Sequence, residues 1–309
     1  MNKYYSHTLL VLAGPTAVGK TTVAIELAKK LNSVVISADS RQCYQELNIG
    51  VARPTAEELA AVHHYFIASH SIHQKVDAAY YENYALQLVD QLFQQYKVVI
   101  VTGGTGLYLK ALVEGLDPIP KVPENLRAEI IENYQTRGIG WLQDQLIQKD
   151  GLFAAEGEMQ NPQRMMRALE VVEATGLSVL SFRTGNKQPR NFNVLQVNLE
   201  LPREQLYERI NTRVDAMMAA GLEAEASTLI AFRQLNALQT VGYNELFQYF
   251  DGTLTLQHAV ELIKQNTRRY AKRQMTWFNK QAQMHRINNQ DPKLAMEQIL
   301  ELLKKLESF

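Results

Sequence analysis

The chain has 309 residues, enough for one large domain or for a core domain that carries an insertion. Hydrophobic residues make up 46% of the sequence and charged residues 21%, proportions that exclude a disordered or fibrous chain and are typical of a folded soluble enzyme. The formal net charge is zero, which argues weakly against a nucleic-acid partner, although a local basic stripe can still bind RNA.

Three classes of protein are disfavoured by simple patterns. No apolar run approaches the ~18 residues that a membrane span requires, and residues 1–7 show no signal-peptide pattern. The single cysteine, Cys43, excludes an internal disulfide and a zinc finger, and we expect it to be packed in the interior. We therefore expect a cytoplasmic protein that does not contact a membrane.

The first predicted elements are a buried strand over 8–13, a glycine loop and an amphipathic helix over 22–30. The loop fits G-x-x-x-x-G-K-[ST] and consists of Gly14, Pro15, Thr16, Ala17, Val18, Gly19, Lys20 and Thr21. Such a loop lets backbone N–H groups and the helix N-terminus face phosphate oxygens, which Lys20 also reaches, while the Thr21 hydroxyl can ligate Mg²⁺. The motif predicts a phosphorylated ligand without identifying it.

A strand over 34–38, a helix over 81–96 and a strand over 97–102 follow. Strands that alternate with helices predict an α/β fold, a P-loop NTPase-like three-layer core with a parallel sheet, in which ligands gather at the carboxyl ends of the strands. Residues 14–21, 39–42 and 103–106 each follow a predicted strand. We therefore expect these three segments to share one site.

A proline-rich break at 117–123 precedes a helical stretch without a convincing strand, and residues 185–190 form the predicted returning linker. We interpret 119–190 as a helical insertion domain and 1–118 with 191–309 as the catalytic core. The rest of the core is predicted to contain a strand over 194–199, helices over 203–232 (interrupted at Gly221) and 256–279, a short strand over 284–287 and a helix over 292–306.

Several polar residues are candidates for the site, each with an alternative interpretation. Asp39 could be a general base, a Mg²⁺ ligand or the cap of a turn. Gly103-Gly104-Thr105 could supply one hydroxyl or simply form a tight turn. Arg209 and Arg213, four residues apart on one helix, suit a diphosphate but could equally form a solvated face paired with nearby acids.

Basic and histidine-rich segments allow two interpretations as well. Residues 268–273 carry four cations and precede Trp277 and Phe278, an arrangement that suits RNA phosphates and stacked bases, or an exposed face with buried aromatics. Arg164 and Arg167 form a smaller basic pair. The histidines at 63, 64, 70 and 73 lie on a segment predicted to be irregular, and we expect them to be structural or surface residues rather than metal ligands.

Taken in order, these motifs resemble the tRNA dimethylallyltransferases, also called tRNA isopentenyltransferases, of the bacterial type. The resemblance covers most of the chain and is carried by Gly-Pro-Thr-Ala-Val-Gly-Lys-Thr from 14, Asp-Ser-Arg-Gln from 39, Gly-Gly-Thr-Gly-Leu-Tyr from 103, Gln-Arg-Met-Met-Arg-Ala-Leu-Glu from 163, Val-Gly-Tyr from 241 and Lys-Arg-Gln-Met-Thr-Trp from 272. Each motif is modest alone, but the ordered set is specific.

The resemblance implies transfer of a dimethylallyl group from dimethylallyl diphosphate to N6 of adenosine 37 in tRNAs that read codons beginning with U. The phosphate loop would hold the diphosphate with Mg²⁺ on Thr21, and no nucleoside triphosphate would be consumed. Asp39 would be the general base, Arg213 would neutralise the leaving group and Thr105 would position a substrate. The enzyme is expected to be a monomer in which the insertion clamps the anticodon stem-loop.

The resemblance also implies a set of tRNA contacts. They are Asp39, Ser40, Arg41, Gln42, Thr105, Arg127, Gln163, Arg164, Met165, Met166, Arg167, Gly242, Tyr243, Lys272, Arg273, Gln274, Thr276 and Trp277.

The sequence departs from the family at a few positions: Val51 and Arg53 stand where the family usually has Thr and Lys, and no acid precedes Gln163. Three other functions remain open. An adenylate isopentenyltransferase would not need the basic stripes, and a small-molecule kinase would leave the Gly-Gly-Thr and Lys-Arg-Gln-x-Thr-Trp motifs unexplained. A non-catalytic RNA-binding protein would not need the intact Lys20, Thr21 and Asp39.

Overall fold

The computed structural model describes residues 7–307 and divides the chain into two compact units. One unit comprises the described residues up to Val113 and from Pro189 onward, and the other comprises Glu114–Gln188. The expected insertion, 119–190, therefore differs from the second unit by a few residues at each end.

Six strands of the first unit, within the described residues, form one fully parallel sheet. They are β1 (Thr8–Ala13), β2 (Val35–Ser37), β3 (His64–Tyr65), β4 (Val98–Gly103), β5 (Asn193–Glu200) and β6 (His285–Asn288), in the spatial order β3-β2-β4-β1-β5-β6. Leu10 of the central strand lies opposite Ile100 on one side and Leu195 on the other. Because the central strands are covered on both faces, they are nearly continuous hydrophobic runs.

Twelve α-helices lie within the described residues. They are α1 (Lys20–Leu31), α2 (Ala56–Ala61), α3 (Ala78–Leu92), α4 (Gly106–Glu114), α5 (Glu124–Lys149), α6 (Gly151–Glu156), α7 (Pro162–Thr175), α8 (Arg203–Ala219), α9 (Leu222–Leu229), α10 (Tyr243–Phe250), α11 (Leu256–Asn279) and α12 (Pro292–Glu307). Among them, none combines the length and the hydropathy that a membrane span requires.

The sheet separates two hydrophobic cores. Leu9 and Val11 of β1 point into one core, whereas Leu10 and Leu12 point into the other, because successive side chains of a strand face opposite sides. Helices cover both faces, so the expected three-layer parallel α/β fold is confirmed.

The second unit is helical, and its core is built mainly from α5, α6 and α7. Helix α5 is broken at Gly138, whose φ of 76° lies in the left-handed region that glycine tolerates. Helix α7 begins with two strong signals, Asn161 as the N-cap that accepts a hydrogen bond from the Arg164 N–H, and Pro162 in the first turn.

The predicted elements of the core agree closely with the structure, and the bounds of α11 coincide with the expected 256–279. The expectation that the histidine-rich segment is irregular was wrong at one point, since His64 and Tyr65 form the edge strand β3. This strand has only two residues, both half-buried, so it leaves no hydrophobic run for a sequence pattern to detect.

Candidate functional site

The phosphate loop connects β1 to α1 at the carboxyl end of the central strand. Its backbone is held open by positive φ angles at Gly14, Ala17 and Gly19. At Gly19 a Cβ atom would lie 2.7 Å from Nδ2 of Asn289, so only glycine fits there. The buried Asn289 in turn donates a 2.7 Å hydrogen bond to the Val18 carbonyl and supports the loop from the β6 side.

Lys20 folds back over this loop. Its Nζ donates hydrogen bonds to the carbonyl oxygens of Gly14 and Pro15, at 2.9 and 2.8 Å. Burial, aided by the nearby Arg213 charge and opposed by Asp39, lowers the pKa of Lys20 to about 7. The charged form of Lys20 is therefore poorly stabilised in the free protein, and an anion bound in the loop would stabilise it.

Asp39 lies two residues beyond β2 and caps a turn. Its Oδ1 accepts hydrogen bonds from the backbone N–H groups of Arg41 (2.8 Å) and Gln42 (3.3 Å). The capping interpretation is therefore correct, and the same carboxylate also lines two adjoining cavities. Both backbone hydrogen bonds go to Oδ1, so the lone pairs of the second carboxylate oxygen of Asp39 are not used by the turn.

Thr105 ties this turn to the end of β4. Its Oγ1 accepts a 3.1 Å hydrogen bond from the Ser40 N–H and donates a 3.4 Å bond to the Ser40 hydroxyl. The Thr105 N–H donates to the carbonyl of Ala38 at 3.2 Å. The hydroxyl thus positions the segment that carries Asp39.

Two adjoining cavities open around these groups. The phosphate-loop cavity, of about 310 Å³, is lined by Lys20, Thr21 and Arg53 among others. The second cavity, of about 380 Å³, is lined by apolar residues that include Met217 and Ile263 and by polar ones that include Arg41 and Arg273. Six residues line both cavities and mark their junction: Thr16, Asp39, Val51, Ala52, Arg213 and Tyr270. A ligand with a phosphate end and an apolar end fits such a pair of cavities.

Arg213 is the arginine of α8 that reaches this junction, whereas Arg209, one turn earlier, is exposed. Burial lowers the pKa of Arg213 and the Glu58 carboxylate opposes that shift, but a guanidinium remains protonated. Tyr270 lies on α11, and partial burial together with the nearby Asp39 raises the pKa of its phenol to about 12.

Gly50, Val51 and Ala52 form one wall of the second cavity, and Val51 and Ala52 also line the junction. The backbone segment 48–52 that carries this wall is held by two side chains. The Glu225 carboxylate accepts the N–H groups of Asn48, Ile49 and Gly50 at 3.2, 2.8 and 2.9 Å. Nε2 of Gln42 donates to the carbonyls of Val51 (3.2 Å) and Ala52 (2.9 Å). Gln42, expected at the tRNA surface, therefore positions this wall.

Arg53 also acts on the backbone, as Nη2 donates to the carbonyls of Tyr44 and Gln45 at 2.8 and 2.9 Å. Its guanidinium thus organises the turn before the wall.

The expected tRNA contacts divide by exposure. Six are exposed: Arg127, Gln163, Arg164, Lys272, Arg273 and Thr276. Seven are half-buried: Asp39, Ser40, Arg41, Gln42, Thr105, Arg167 and Trp277. Five are buried: Met165, Met166, Gly242, Tyr243 and Gln274. Of the buried residues, Met165, Met166 and Tyr243 pack in the interior of their own units, whereas Gly242 and Gln274 line the two cavities. The exposed residues place cations on the surface of each unit.

The surface of the second unit combines these cations with acids. Arg127 and Arg167 both lie within 3.5 Å of the buried Glu170 carboxylate, and Arg164 pairs with Glu158. A buried carboxylate that faces two arginines fixes their positions while leaving the rest of each guanidinium toward solvent.

Four residues of the site have roles that the sequence did not predict: Glu225, Tyr270, Gln274 and Asn289. Gln274 was expected as a tRNA contact, whereas its amide is bonded within the protein. Glu225 and Asn289 act on backbone far away along the chain, so no local pattern reveals them. The burial of Gln274 could have been predicted, because Ala271, Gln274 and Phe278 have the i, i+3, i+7 spacing of one buried helix face.

Two other candidates lie in the interior. Cys43 is packed as expected, and burial raises the pKa of its thiol to about 12. His70 is buried with its ring nitrogens bonded to the hydroxyls of Ser69 and Tyr80, both at 2.8 Å. Neither side chain reaches the two cavities.

Known proteins resemble this chain along nearly its whole length. A family model described as IPP transferase matches residues 42–281. A tRNA dimethylallyltransferase of Cytophaga hutchinsonii is 47% identical over 284 residues, which cover 92% of each chain. A tRNA dimethylallyltransferase 1 of Bacteroides fragilis is 44% identical over 273 residues, which cover 88% of this chain and 91% of that one. Among solved structures, the full-length tRNA isopentenylpyrophosphate transferase of Bacillus halodurans aligns with a TM-score of 0.73 at 34% identity, covering 98% of this chain and 97% of that chain.

Proposed function

The chain belongs to the IPP transferase family, and we propose that it transfers the dimethylallyl group of dimethylallyl diphosphate to N6 of adenosine 37 in tRNAs that read codons beginning with U. The observation that carries this proposal is the junction of the two cavities, where Asp39 lies between the phosphate loop and a second cavity whose lining includes the apolar side chains of Val214, Met217, Leu222 and Ile263. A prenyl donor needs these two environments side by side, and an amine acceptor needs a base between them.

The proposed transfer needs only one general base. The C1–O bond of the donor breaks, and its electron pair leaves with the diphosphate. A bond forms between C1 and adenine N6, and N6 gives one proton to the Asp39 carboxylate. The hydrogen bonds from Arg41 and Gln42 hold this carboxylate in place.

The leaving diphosphate is stabilised by the phosphate loop. Backbone N–H groups at the start of α1, Lys20 and Arg213 supply positive charge where negative charge develops. Protonation of Lys20 rises as the anion binds, because the anion offsets the burial that lowers its pKa.

Mg²⁺ fits the phosphate-loop cavity, because the Thr21 hydroxyl and the Asp39 carboxylate both line it and oxygen ligands suit this ion. We propose that Thr21 holds Mg²⁺, which would neutralise charge on the diphosphate when bound. The protein's own contribution is to place that hydroxyl beside Lys20, in the first turn of α1.

The acceptor is proposed to be a base flipped out of the anticodon loop. N6 of a stacked adenine is poorly accessible, so the base must leave the stack to reach Asp39. The exposed cations Lys272 and Arg273 on α11, and Arg127 and Arg164 in the second unit, are proposed to bind tRNA phosphates. Arg273 also lines the second cavity, which puts a cation at its rim.

A label-transfer assay tests the proposal. Purified protein, Mg²⁺ and radiolabelled dimethylallyl diphosphate are incubated with unmodified tRNA that reads a codon beginning with U, and in parallel with AMP and with ATP. A matched tRNA carrying guanosine at position 37 is the control, because guanine has no N6 amine. We expect label in the first tRNA only. Label on AMP would indicate an adenylate isopentenyltransferase, and turnover of ATP without transfer of label would indicate a kinase.

A further inference from the structure

Gln274 is hydrogen-bonded to two loops, the phosphate loop after β1 and the turn after β4. It lies on α11 and is only 6% exposed. Its Oε1 accepts a 2.8 Å hydrogen bond from the Thr16 N–H, and its Nε2 donates a 2.9 Å bond to the Gly104 carbonyl. The carbonyl oxygen of the amide accepts and its nitrogen donates, so only this orientation of the amide satisfies both partners.

The chain makes room for this amide. A Cβ atom on Gly104 would lie 2.2 Å from Nε2 of Gln274, closer than two such atoms can approach. Gly104 therefore allows the close approach of the side chain to the backbone. Because the amide is buried and both its ends are bonded, displacing it would leave polar groups unpaired.

The bond to Thr16 occupies a donor of the phosphate loop itself. Backbone N–H groups of such loops bind phosphate oxygens, but the Thr16 N–H is already paired with a protein oxygen. Thr16 lines both cavities beside Asp39, so it lies where the group in transfer passes from donor to acceptor. A phosphoryl group at this point needs N–H donors, whereas an allylic carbon uses none.

We propose that Gln274 is a specificity-determining residue that makes this loop select a diphosphate over a triphosphate, by occupying the donor that a third phosphate would use. The inference rests on the proposed function for what lies at the junction. The partial negative charge of Oε1 also repels a further phosphate oxygen at this point. The same loop type that serves nucleotides elsewhere is thus restricted to a prenyl diphosphate.

Calorimetric titration of the full chain with pyrophosphate and with tripolyphosphate, both with Mg²⁺, tests this inference. The wild type is expected to bind pyrophosphate more tightly. In Gln274→Ala, the ratio of the tripolyphosphate Kd to the pyrophosphate Kd should fall about tenfold, the effect of one hydrogen bond to a charged group. Gln274→Asn keeps a buried amide that is one methylene too short, and its ratio should fall in the same direction. Gln265→Ala, at an exposed position of α11, should keep the wild-type ratio.

A ratio unchanged in the folded Gln274 variants would overturn the inference, as would a wild type that binds tripolyphosphate at least as tightly as pyrophosphate. A loss of packing alone would weaken both anions and leave their ratio unchanged. The titration uses neither tRNA nor a prenyl donor, so its outcome is separate from the label-transfer assay. If the wild type labels tRNA but the ratio of the two Kd values is the same in the wild type and in the Gln274 variants, only the role of Gln274 is refuted.

Discussion

The hydroxyl of Tyr243 donates a 2.7 Å hydrogen bond to Oε1 of Glu225, the same oxygen that accepts the Gly50 N–H. The other oxygen accepts the N–H groups of Asn48 and Ile49. One carboxylate thus gathers four donors, and it connects α9 and α10 to the backbone wall of the junction. Tyr243, which the resemblance suggested as a tRNA contact, is fully buried and supports that wall.

Glu225→Ala is expected to lower the free energy of unfolding by about 2–3 kcal/mol, because four donors lose a charged acceptor. Tyr243→Phe removes one hydroxyl and should cost about 1 kcal/mol. Urea unfolding measures both. Glu223→Ala, on the same helix, is the control and should change stability by less than about 0.5 kcal/mol. A cost for Glu225→Ala no larger than the control would show that the carboxylate does not hold the wall.

Asp39→Asn separates the two tasks of this side chain. Asparagine can still accept the N–H groups of Arg41 and Gln42 and keep the turn, but it is a far weaker base. We expect kcat to fall roughly 100- to 10,000-fold while the Kd for tRNA stays near the wild-type value. Asp39→Ala should lose the turn as well and bind tRNA less tightly. Steady-state kinetics and filter binding report the two quantities, and wild-type turnover in Asp39→Asn would remove the residue from the chemistry.

Lys20 is expected to take up a proton when the diphosphate binds. Its pKa of about 7 means that the side chain is mostly neutral at pH 8, and the bound anion raises that pKa by favouring the charged form. Calorimetry at pH 8 in buffers of different ionisation enthalpy should show an uptake of about 0.5–1 proton beyond that of Lys20→Arg. The arginine is protonated before and after binding and so serves as the control. Equal proton uptake in the two proteins would contradict the expected shift.

Much of the site could be predicted because strand ends carry local signals. The phosphate loop, Asp39 and Thr105 follow strands that the sequence reveals as hydrophobic runs, and a parallel sheet brings such ends together. Arg213 was found by helical spacing. Arg209, on the same helix, is exposed, but its Nη1 lies 3.7 Å from the position of a Cβ atom on Gly19, so it stands beside the phosphate loop.

The positioning residues could not be predicted in the same way. Glu225 acts on backbone about 175 residues away, and such a partner depends on the tertiary fold rather than on local sequence. Gln274 lies within a basic motif and was grouped with its exposed neighbours, although its helix face places it in the interior. A motif identifies which residues belong to a site, but the helical phase decides which of them can reach a ligand in solution.

Lys272 and Arg273 are adjacent on α11 and exposed, yet their expected effects differ. Lys272→Ala should reduce the salt dependence of tRNA affinity by about one unit of slope and leave kcat unchanged, because only a phosphate contact is lost. Arg273 lines the second cavity, and its guanidinium lies 5.6 Å from the centre of the Tyr270 ring at the junction. Arg273→Ala should therefore reduce the slope similarly and also lower kcat. Binding at several salt concentrations and single-turnover kinetics measure the two effects, with Lys293→Ala, exposed at the start of α12, as the control. Identical behaviour of the two variants would show that Arg273 acts only on the tRNA backbone.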